Sequence, residues 1–295
     1  MEKNLSALGF MSGTSGDGVD TSVISSNGKD TINIKYNRFD PYPTSLSNKI
    51  HKVKESISKM QDLLKYSSEI DKLELEITDF HIDIAIKTNK EVDYDLIGFH
   101  GHTIYHNTEE KISKQIGLGA NLSKLTNKDV VYNFRQNDIK NGGEGAPLSP
   151  IYHLALIKSL FNENKVKIPI SILNIGGIAN ITEIEKDFKI SSRDIGPGNC
   201  LIDKWIRKNS DKFFDKNGTL ADKGKTDKFI FNQYLDNYYY SKVNSKRSLD
   251  TNDFDISFAK GLSLENGTTT ITDITSELLS KKIGINDIYI CGGGR

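Results

Sequence analysis

Alternating hydrophobic and polar positions mark three short runs at the start of the chain. The runs LSALGFM, VDTSVIS and INIKYNRF carry the apolar content and the period of two that are typical of β-strands. A glycine-rich stretch separates the first two runs and predicts a tight bend between them. We therefore expect the chain to open with a β-meander of three strands.

The period then changes to that of a helix. Apolar residues recur at helical spacing in two stretches, about residues 45–64 and 66–88, which precede the apolar strand DLIGFHG. A further strand, DVVYNF, leads through a glycine-rich turn into the helix SPIYHLALIKSLF. The first half of the chain is thus predicted to be βββ followed by alternating helices and strands.

The second half opens in the same way. ISILNIGGIANITEI predicts a strand, a glycine bend and a strand, FKISSRD predicts a third strand, and NCLIDKWIRKN predicts a helix. We interpret this as a weak internal duplication of a βββα unit, visible in topology and not in matched residues. It predicts two similar domains, residues 1–165 and 166–295, that face each other across a cleft. Residues 210–260 predict an irregular, partly helical insertion, and DIYICGGGR predicts a final strand running into glycines.

Composition excludes several function classes. Lysine plus arginine (39) equals aspartate plus glutamate (39) in the 295 residues, so no net charge recruits nucleic acid or an anionic membrane. The two cysteines, Cys200 and Cys291, are far apart, which argues against a zinc ribbon or a disulfide scaffold. No cleavable apolar leader and no run of about 18 apolar residues occurs. We expect a soluble, cytoplasmic protein without nucleic-acid or membrane partners.

The first glycine bend, in GFMSGTSGDGVD, carries candidate binding chemistry. Glycines expose backbone N–H groups and the hydroxyls add donors, so the expected guest is an anion such as phosphate. Asp17 and Asp20 suit that guest only when a divalent cation such as Mg²⁺ lies between them. The alternative is an ordinary tight turn. The candidate residues are Gly13, Thr14, Ser15, Gly16, Asp17, Gly18 and Asp20.

The bend fits none of the common glycine templates. A P-loop needs a lysine and a helix directly after it, whereas a predicted strand follows here. The glycine spacing is not the G-x-G-x-x-G of dinucleotide-binding folds. A nucleophile elbow around Ser15 would need glycine where Asp17 stands. What remains is a glycine hairpin whose aspartates can hold hydrated Mg²⁺ at the phosphates of a nucleotide.

Six motifs, taken in their order along the chain, narrow the class of protein. They are MSGTSGDGVD, GFHGHTIYH, FRQNDIKNGGEGAPLSP, LNIGGIANIT, DIGPGNCLID and CGGG. From about residue 8 to the last residue, the chain resembles the anhydro-N-acetylmuramic acid kinase family of the actin, hexokinase and Hsp70 superfamily. The resemblance implies an α/β fold of two actin/hexokinase-like (ribonuclease H-like) lobes with the active-site cleft between them.

The same resemblance implies an activity. Such enzymes use ATP and Mg²⁺ to phosphorylate the 6-oxygen of 1,6-anhydro-N-acetylmuramic acid while water opens the anhydro bridge. The product, N-acetylmuramic acid 6-phosphate, belongs to cell-wall (peptidoglycan) recycling. The resemblance also implies a homodimer. Because the family's chains continue beyond the final glycine run, this chain is expected to lack the usual C-terminal end.

Site residues follow from the matched motifs. Asp194, between the strand FKISS and the turn GPGN, corresponds to the general base for the attacking water, although a helix cap is the alternative role. Asn180 lies beside the second bend as a sugar contact. The remaining nucleotide contacts are Gly176 and Gly177 of the second bend and, near adenosine, Gly292, Gly293 and Gly294.

Two further segments predict sugar contacts. His100 and His102 are expected to share one strand face, where contact with the sugar is favoured modestly over plain polar packing and more clearly over a zinc site that would include His106. The guanidinium of Arg135 fits the lactyl carboxylate of the sugar, and a structural pair with Asp138 is an equal alternative.

Departures from the family pattern keep two other functions open. The family has aspartate where Asn133 stands and glutamine where Glu144 and His102 stand, which favours a kinase for a different sugar as the first alternative. The second is a noncatalytic protein that binds ATP or sugar, favoured by the expected lack of the C-terminal end.

Overall fold

The chain forms two compact α/β units. The computed structural model describes residues 4–13, 15–241, 248–284 and 287–294. One unit comprises Met1–Val166 and the other Lys167–Arg295. Each unit contains its own sheet and its own hydrophobic core.

The first unit is built on a six-stranded sheet. Strands β1, β2 and β3 form the predicted antiparallel meander, and β4 runs parallel to β1 on its other side. The far edge of β4 pairs with two strands, antiparallel with β5 and parallel with β6. The strands are β1 (Leu5–Ser12), β2 (Gly18–Ser26), β3 (Ile32–Pro41), β4 (Leu96–Asn107), β5 (Ile112–Ile116) and β6 (Asp129–Tyr132).

Among the described residues of this unit, six helices accompany the sheet. Their bounds are α1 (Thr44–Ser56), α2 (Met60–Lys65), α3 (Ser67–Glu91), α4 (Gly119–Thr126), α5 (Phe134–Lys140) and α6 (Pro150–Asn162). Apolar residues of α1 and α3, such as Ile50 and Ile77, are fully buried in one core cluster with Leu8 and Ile97 of the sheet. Within the described residues, no helix of the protein has both the length and the apolar character needed to cross a bilayer.

The helix predicted over residues 45–64 is interrupted. Ile57 has an extended backbone (φ −108°, ψ 107°) and ends α1. The carboxylate of Asp62 accepts hydrogen bonds from the backbone N–H groups of Ser58 and Lys59, at 3.0 and 3.1 Å, and so caps the start of α2. This local capping outweighs the helical period and makes two helices from one predicted stretch.

The second unit is built on a four-stranded sheet in the order β10-β7-β8-β9. Strands β7, β8 and β9 are antiparallel neighbours, and β10 is parallel to β7. Both units therefore open with three antiparallel strands and a helix, which confirms the predicted mixed α/β class. The elements are β7 (Ile170–Ile175), β8 (Ile178–Ile184), β9 (Ile190–Pro197), α7 (Cys200–Asn209), α8 (Lys228–Tyr239), α9 (Leu264–Ser280) and β10 (Asp287–Cys291).

Candidate functional site

The first glycine bend joins β1 to β2 and is held by the segment that begins α1. The N–H of Gly16 donates to the carbonyl of Gly13 (3.1 Å), which closes the turn. Ser47 Oγ donates to the carbonyl of Gly16 (2.6 Å), and the N–H of Tyr42 donates to the carbonyl of Asp17 (2.9 Å). These two bonds fix the middle and the end of the bend. Thr14, a predicted phosphate contact, lies outside the described residues.

Glycine is required at the middle of this bend. Gly16 has φ +60°, a conformation that is costly for other residues. A Cβ atom there would also lie 3.1 Å from the ring of His51 and 3.3 Å from Ile50, both on α1. The bend is therefore packed closely against the helix as well as hydrogen-bonded to it.

Two carboxylates lie near the end of the bend. Ser15 Oγ donates to Asp17 Oδ1, so the Asp17 carboxylate stays with the bend. Partial desolvation and then the negative charge of Asp17 raise the pKa of Asp20. Carboxylates close enough to repel each other are a suitable place for a divalent cation, and Mg²⁺ usually takes only one or two protein carboxylates beside phosphate and water. Asp17 and Asp20 thus fit a Mg²⁺ ion that is shared with a nucleotide.

His100 and His102 of β4 do not share a face. Gly101 has φ +71°, and the register with β1 shifts between Phe99 and His102. Phe99 and His102 pair with residues of β1 that are two positions apart, so both lie on the core face and His100 lies on the opposite face. The expectation that His100 and His102 share one face was wrong because this bulge interrupts the alternation. Within the described residues, no group of three or more potential ligands could hold a metal, which also disfavours the zinc alternative.

His102 is buried beneath the glycine bend. Its side chain is 1 % exposed, and its Nδ1 lies 2.8 Å from Ser12 Oγ. Burial lowers the pKa of His102 well below its usual value, so the ring is neutral near pH 7. The ring is placed to orient Ser12 and presents almost no surface to a sugar.

His100 and Arg135 form a pair on the other face of β4. Arg135 Nε donates to His100 Nε2 (2.8 Å), and His100 Nδ1 lies 2.9 Å from the carbonyl of Gly101, so we assign the ring proton to Nδ1. Burial and then the positive charge of Arg135 lower the pKa of His100 to about 4. Arg135 Nη1 also donates to the carbonyl of Gly145 (2.8 Å), whose N–H donates to Asp138 Oδ2 (2.8 Å). Arg135 and Asp138 thus bind the carbonyl and the N–H of Gly145, respectively.

Polar side chains form a row across the second sheet. The register pairs Cys291 of β10 with Asn174, Asn174 with Asn180, and Asn180 with Asp194 of β9. Directly paired residues of neighbouring strands point to the same face of a sheet. Asp194 and Asn180 therefore lie side by side. The sequence indicated these two residues separately, and Asn174 was not among the predicted site residues.

Asp194 and Asn180 have the character of a binding site. Asp194 is 8 % exposed, and its Oδ2 accepts the N–H of Leu249 (2.8 Å), which orients the carboxylate. The Oδ1 atom of Asn180 is buried, and no hydrogen-bond partner for it occurs among the residues that the structure describes. A buried polar atom of this kind is expected to bind a ligand or a water.

The second glycine bend packs against the start of α7. The carbonyl of Gly176 accepts the N–H of Asn199 (2.8 Å), and that of Gly177 accepts the N–H groups of Gly198 (3.0 Å) and Cys200 (3.1 Å). A Cβ atom on Gly198 would lie 2.2 Å from the Gly176 carbonyl oxygen. Gly198 and Asn199 were not predicted as site residues, although the turn GPGN was the available signal.

The final glycine run lies at the same edge of the sheet. Strands β7 and β10 are parallel, so the residues that follow them are neighbours. The N–H of Gly294 donates to the carbonyl of Ile175 (3.0 Å), directly before the second bend. Cys291 Sγ lies 3.7 Å from Asn174 Oδ1. The bend, the glycine run and the polar row thus form one cluster, and ligands of open α/β sheets commonly bind at the carboxyl ends of parallel strands.

Two α/β units of this topology, with glycine bends at their strand ends, define the actin/hexokinase-like class of phosphotransferases. Comparison with known proteins narrows this class. The family described as "Anhydro-N-acetylmuramic acid kinase" matches residues 5–295, and the chain belongs to that family. The resemblance carried by the six motifs is confirmed. A kinase family of this kind implies use of ATP, generally with a divalent metal.

Several bacterial proteins named anhydro-N-acetylmuramic acid kinase are similar along the whole chain. The protein of Pelagibacter ubique (strain HTCC1062) is 45 % identical over 308 residues, which cover 100 % of this chain and 81 % of the relative. The protein of Agrobacterium fabrum (strain C58 / ATCC 33970) is 35 % identical over 301 residues, covering 98 % and 79 %. That of Rhizobium johnstonii (strain DSM 114642 / LMG 32736 / 3841) is 35 % identical over 300 residues, with the same coverage.

Proposed function

We propose that the protein is an ATP-dependent kinase of 1,6-anhydro-N-acetylmuramic acid that acts in peptidoglycan recycling. Water adds to the anomeric carbon, the bond from that carbon to the 6-oxygen breaks, and the 6-oxygen takes the γ-phosphoryl group while ADP leaves. The products are N-acetylmuramic acid 6-phosphate and ADP. The family match over residues 5–295 is the observation that carries this proposal.

Asp194 is proposed as the general base for the water. A carboxylate can take the proton that the water loses as it attacks the anomeric carbon. The hydrogen bond from the N–H of Leu249 holds one carboxylate oxygen in place, so the orientation of the base is set before the substrate arrives. The buried Oδ1 atom of Asn180 can accept a hydrogen bond from the water or from a sugar hydroxyl.

The first glycine bend is proposed to bind the terminal phosphates of ATP. The carbonyls of Gly16 and Asp17 are bonded to Ser47 and Tyr42, so the bend is rigid before it meets the nucleotide. Backbone N–H groups of the bend other than that of Gly16, which closes the turn, would donate to the phosphate oxygens, and the hydroxyl of Ser15 would turn from Asp17 to the phosphate when the nucleotide binds. Asp17 and Asp20 would hold Mg²⁺ through water, and this ion would neutralise charge on the phosphates.

The glycine cluster of the second unit is also proposed to bind ATP. Gly176 and Gly177 would contact its phosphates and residues 292–294 its adenosine. The start of α7 lies beside the second bend, and the N-terminus of a helix favours negative charge.

Contacts with the sugar are proposed for His100 and Arg135. Arg135 is held by His100 and by the carbonyl of Gly145, so its guanidinium has a fixed direction. A fixed guanidinium can bind the lactyl carboxylate through charge-assisted hydrogen bonds.

Substrate turnover tests the proposal. Purified protein is incubated with MgATP and either 1,6-anhydro-N-acetylmuramic acid or a panel of other amino sugars and hexoses, and ADP release is followed. We expect turnover with the anhydro-sugar well above the rest of the panel. Preferred turnover of another sugar would replace the substrate, and nucleotide binding without turnover on any sugar would indicate a noncatalytic protein.

A further inference from the structure

A chain of three buried polar side chains lies beneath the first glycine bend. Tyr42 Oη is 2.9 Å from Ser12 Oγ, and Ser12 Oγ is 2.8 Å from His102 Nδ1. Their exposed fractions are 7 %, 4 % and 1 %. Nε2 of His102 has no hydrogen-bond partner among the residues that the structure describes. Within that part of the chain, Ser12 is therefore the hydrogen-bond partner that orients the His102 ring.

This chain connects both ends of the bend. Ser12 is the last residue of β1 and directly precedes Gly13. Tyr42 contacts Ser12 through its hydroxyl and holds the carbonyl of Asp17 through its N–H. One residue therefore links the start of the bend to its end. The Ser12 hydroxyl also contacts His102, and this contact limits the rotation of the Ser12 side chain.

The backbone of β4 is shaped so that His102 reaches Ser12. Regular alternation from Phe99 would turn position 102 away from the core, and the bulge at Gly101 reverses this. Gly101 has φ +71°, and a Cβ atom on it would lie 2.4 Å from the carbonyl oxygen of Ile116. Bulges commonly re-aim a side chain next to a functional site.

We propose that His102 is a positioning residue of the kinase, which acts through Ser12 to keep the first glycine bend in its phosphate-binding conformation. The proposal rests on the function proposed above. Because its ring is 1 % exposed, His102 is assigned no direct contact with the nucleotide or the sugar. Without it, the buried hydroxyl of Ser12 loses a partner, and a buried polar group without its partner tends to reorient or to admit water. The start of the bend would then be free to move.

A second buried histidine supplies the matched control. His81 is 0 % exposed, like His102, and packs edge-on against the rings of Phe10 and Phe99. Its Nδ1 bonds to the carbonyl of Ile77 within its own helix, so this hydrogen bond leads away from the bend. Replacing His81 therefore tests the loss of a core histidine without the loss of the link to Ser12.

The experiment compares His102→Leu, His102→Asn, Ser12→Ala and the double variant His102→Leu/Ser12→Ala with His81→Leu. The wild-type protein is first shown to bind MgATP and to phosphorylate the anhydro-sugar. The dissociation constant of MgATP is then measured by calorimetry, the KM values of ATP and sugar by turnover, and Tm by thermal unfolding. Asparagine can place an amide near the position of Nδ1, so it is the conservative variant.

We expect His102→Leu and Ser12→Ala each to weaken MgATP binding about tenfold, or about 1.4 kcal/mol, with the KM of the sugar nearly unchanged. The double variant should bind MgATP no more weakly than the single variant with the lower affinity, because both single changes remove the same contact between His102 and Ser12. His102→Asn should restore most of the affinity. His81→Leu should lower Tm and leave the affinity for MgATP unchanged.

Three results would overturn the proposal. They are wild-type affinity in His102→Leu, additive losses in the double variant, or equal losses of ATP and sugar binding in His102→Leu that His81→Leu also shows at a similar loss of Tm. If His102→Leu does not fold, Ser12→Ala, which removes the same His102–Ser12 bond, is judged by the same criteria, and Tyr42→Phe measures the separate effect of the Tyr42–Ser12 bond. A wild-type protein that binds no nucleotide would overturn the kinase assignment as well, whereas an active wild type with unaffected variants would overturn only the role of His102.

Discussion

Asp194 and Asn180 are neighbours across two strands, but we propose different roles for them. The carboxylate takes a proton, whereas the amide only binds and orients. Both positions lie where β8 and β9 change register, between Ala179 and Asn180. An irregular strand pair beside a site can aim side chains that a regular ladder would turn elsewhere.

Asp194→Asn is expected to lower kcat by about 10² to 10⁴ and to leave the binding of ATP and sugar nearly unchanged. The amide matches the carboxylate in size and can still accept the N–H of Leu249, but it cannot take a proton. Turnover and equilibrium binding are measured side by side. Asp203→Asn, a change at the equally buried carboxylate of α7, is the control. Near-normal kcat in Asp194→Asn would contradict the assignment.

The buried histidines predict a pH dependence of stability. Burial lowers the pKa of His81 to about 4, and burial together with Arg135 lowers that of His100 to about 4. In the unfolded chain both titrate near 6.5, so the unfolded state binds more protons between these values. The free energy of unfolding should therefore fall as pH decreases from about 6.5 to 4, by about 1.4 kcal/mol per pH unit for each histidine.

Urea unfolding of the wild type and of His81→Phe at several pH values measures this effect. The variant lacks one of the buried titrating rings, so its free energy of unfolding should change less steeply between pH 6 and pH 5. Equal slopes for the two proteins would show that the His81 pKa is not lowered by folding.

At the scale of elements, the first glycine bend is held firmly against α1 and the segment that precedes it. The prediction of a phosphate-binding hairpin came from glycines and hydroxyls alone. The structure adds the hydrogen bonds from Ser47 and Tyr42 to the bend. No local motif predicts these bonds, because the two residues follow β3 in the chain and meet the bend only in the folded protein.

Gly16→Ala is expected to abolish measurable binding of MgATP. Alanine strains a backbone at φ +60° and would press on the ring of His51 and on Ile50, so the bend has to move. Gly28→Ala is the control, because Gly28 also has positive φ (+75°) but a Cβ atom there would meet no described atom within 4 Å. This control should cost about 1 kcal/mol of stability and keep the affinity for MgATP. Wild-type binding by Gly16→Ala would contradict the role of the bend.

Local patterns predicted the regular elements and missed the irregular ones. The period-two runs predicted both meanders, and the helical period predicted α3 and α7. Strand β5 and helix α4 were not predicted, since KISKQIGLGANLSKL is short and mixes polar and apolar residues without a clear period. The bulge at Gly101 was also missed, because positive φ at one glycine is set by packing against Ile116 and not by its neighbours in sequence.

At the scale of the whole molecule, the chain repeats one topology with different chemistry. The first unit carries the clamped bend with Asp17 and Asp20, and the second carries Asp194 within a polar row. The repeat was predictable because strand and bend patterns recur along the chain. The polar row was not, because it depends on the register of four strands, and one of them, β10, is distant in sequence from the other three.

Metal removal tests the proposed role of the divalent ion. Excess EDTA should abolish turnover, and added Mg²⁺ should restore it, since two carboxylates and the phosphates are proposed to share the ion. Asp17→Asn should raise the Mg²⁺ concentration needed for half-maximal turnover. Glu144→Gln, a change of one exposed carboxylate outside the bend, should not. Full turnover in EDTA would contradict the proposed metal.

The most direct test of the central claim is the isotopic composition of the product formed in ¹⁸O-labelled water. The protein is given MgATP and 1,6-anhydro-N-acetylmuramic acid, and the phosphorylated sugar is analysed by mass spectrometry, with unlabelled N-acetylmuramic acid 6-phosphate in the same water as the exchange control. We predict an opened sugar that carries one phosphate and one solvent oxygen beyond that control. A phosphorylated sugar with its anhydro bridge intact would contradict the proposed reaction.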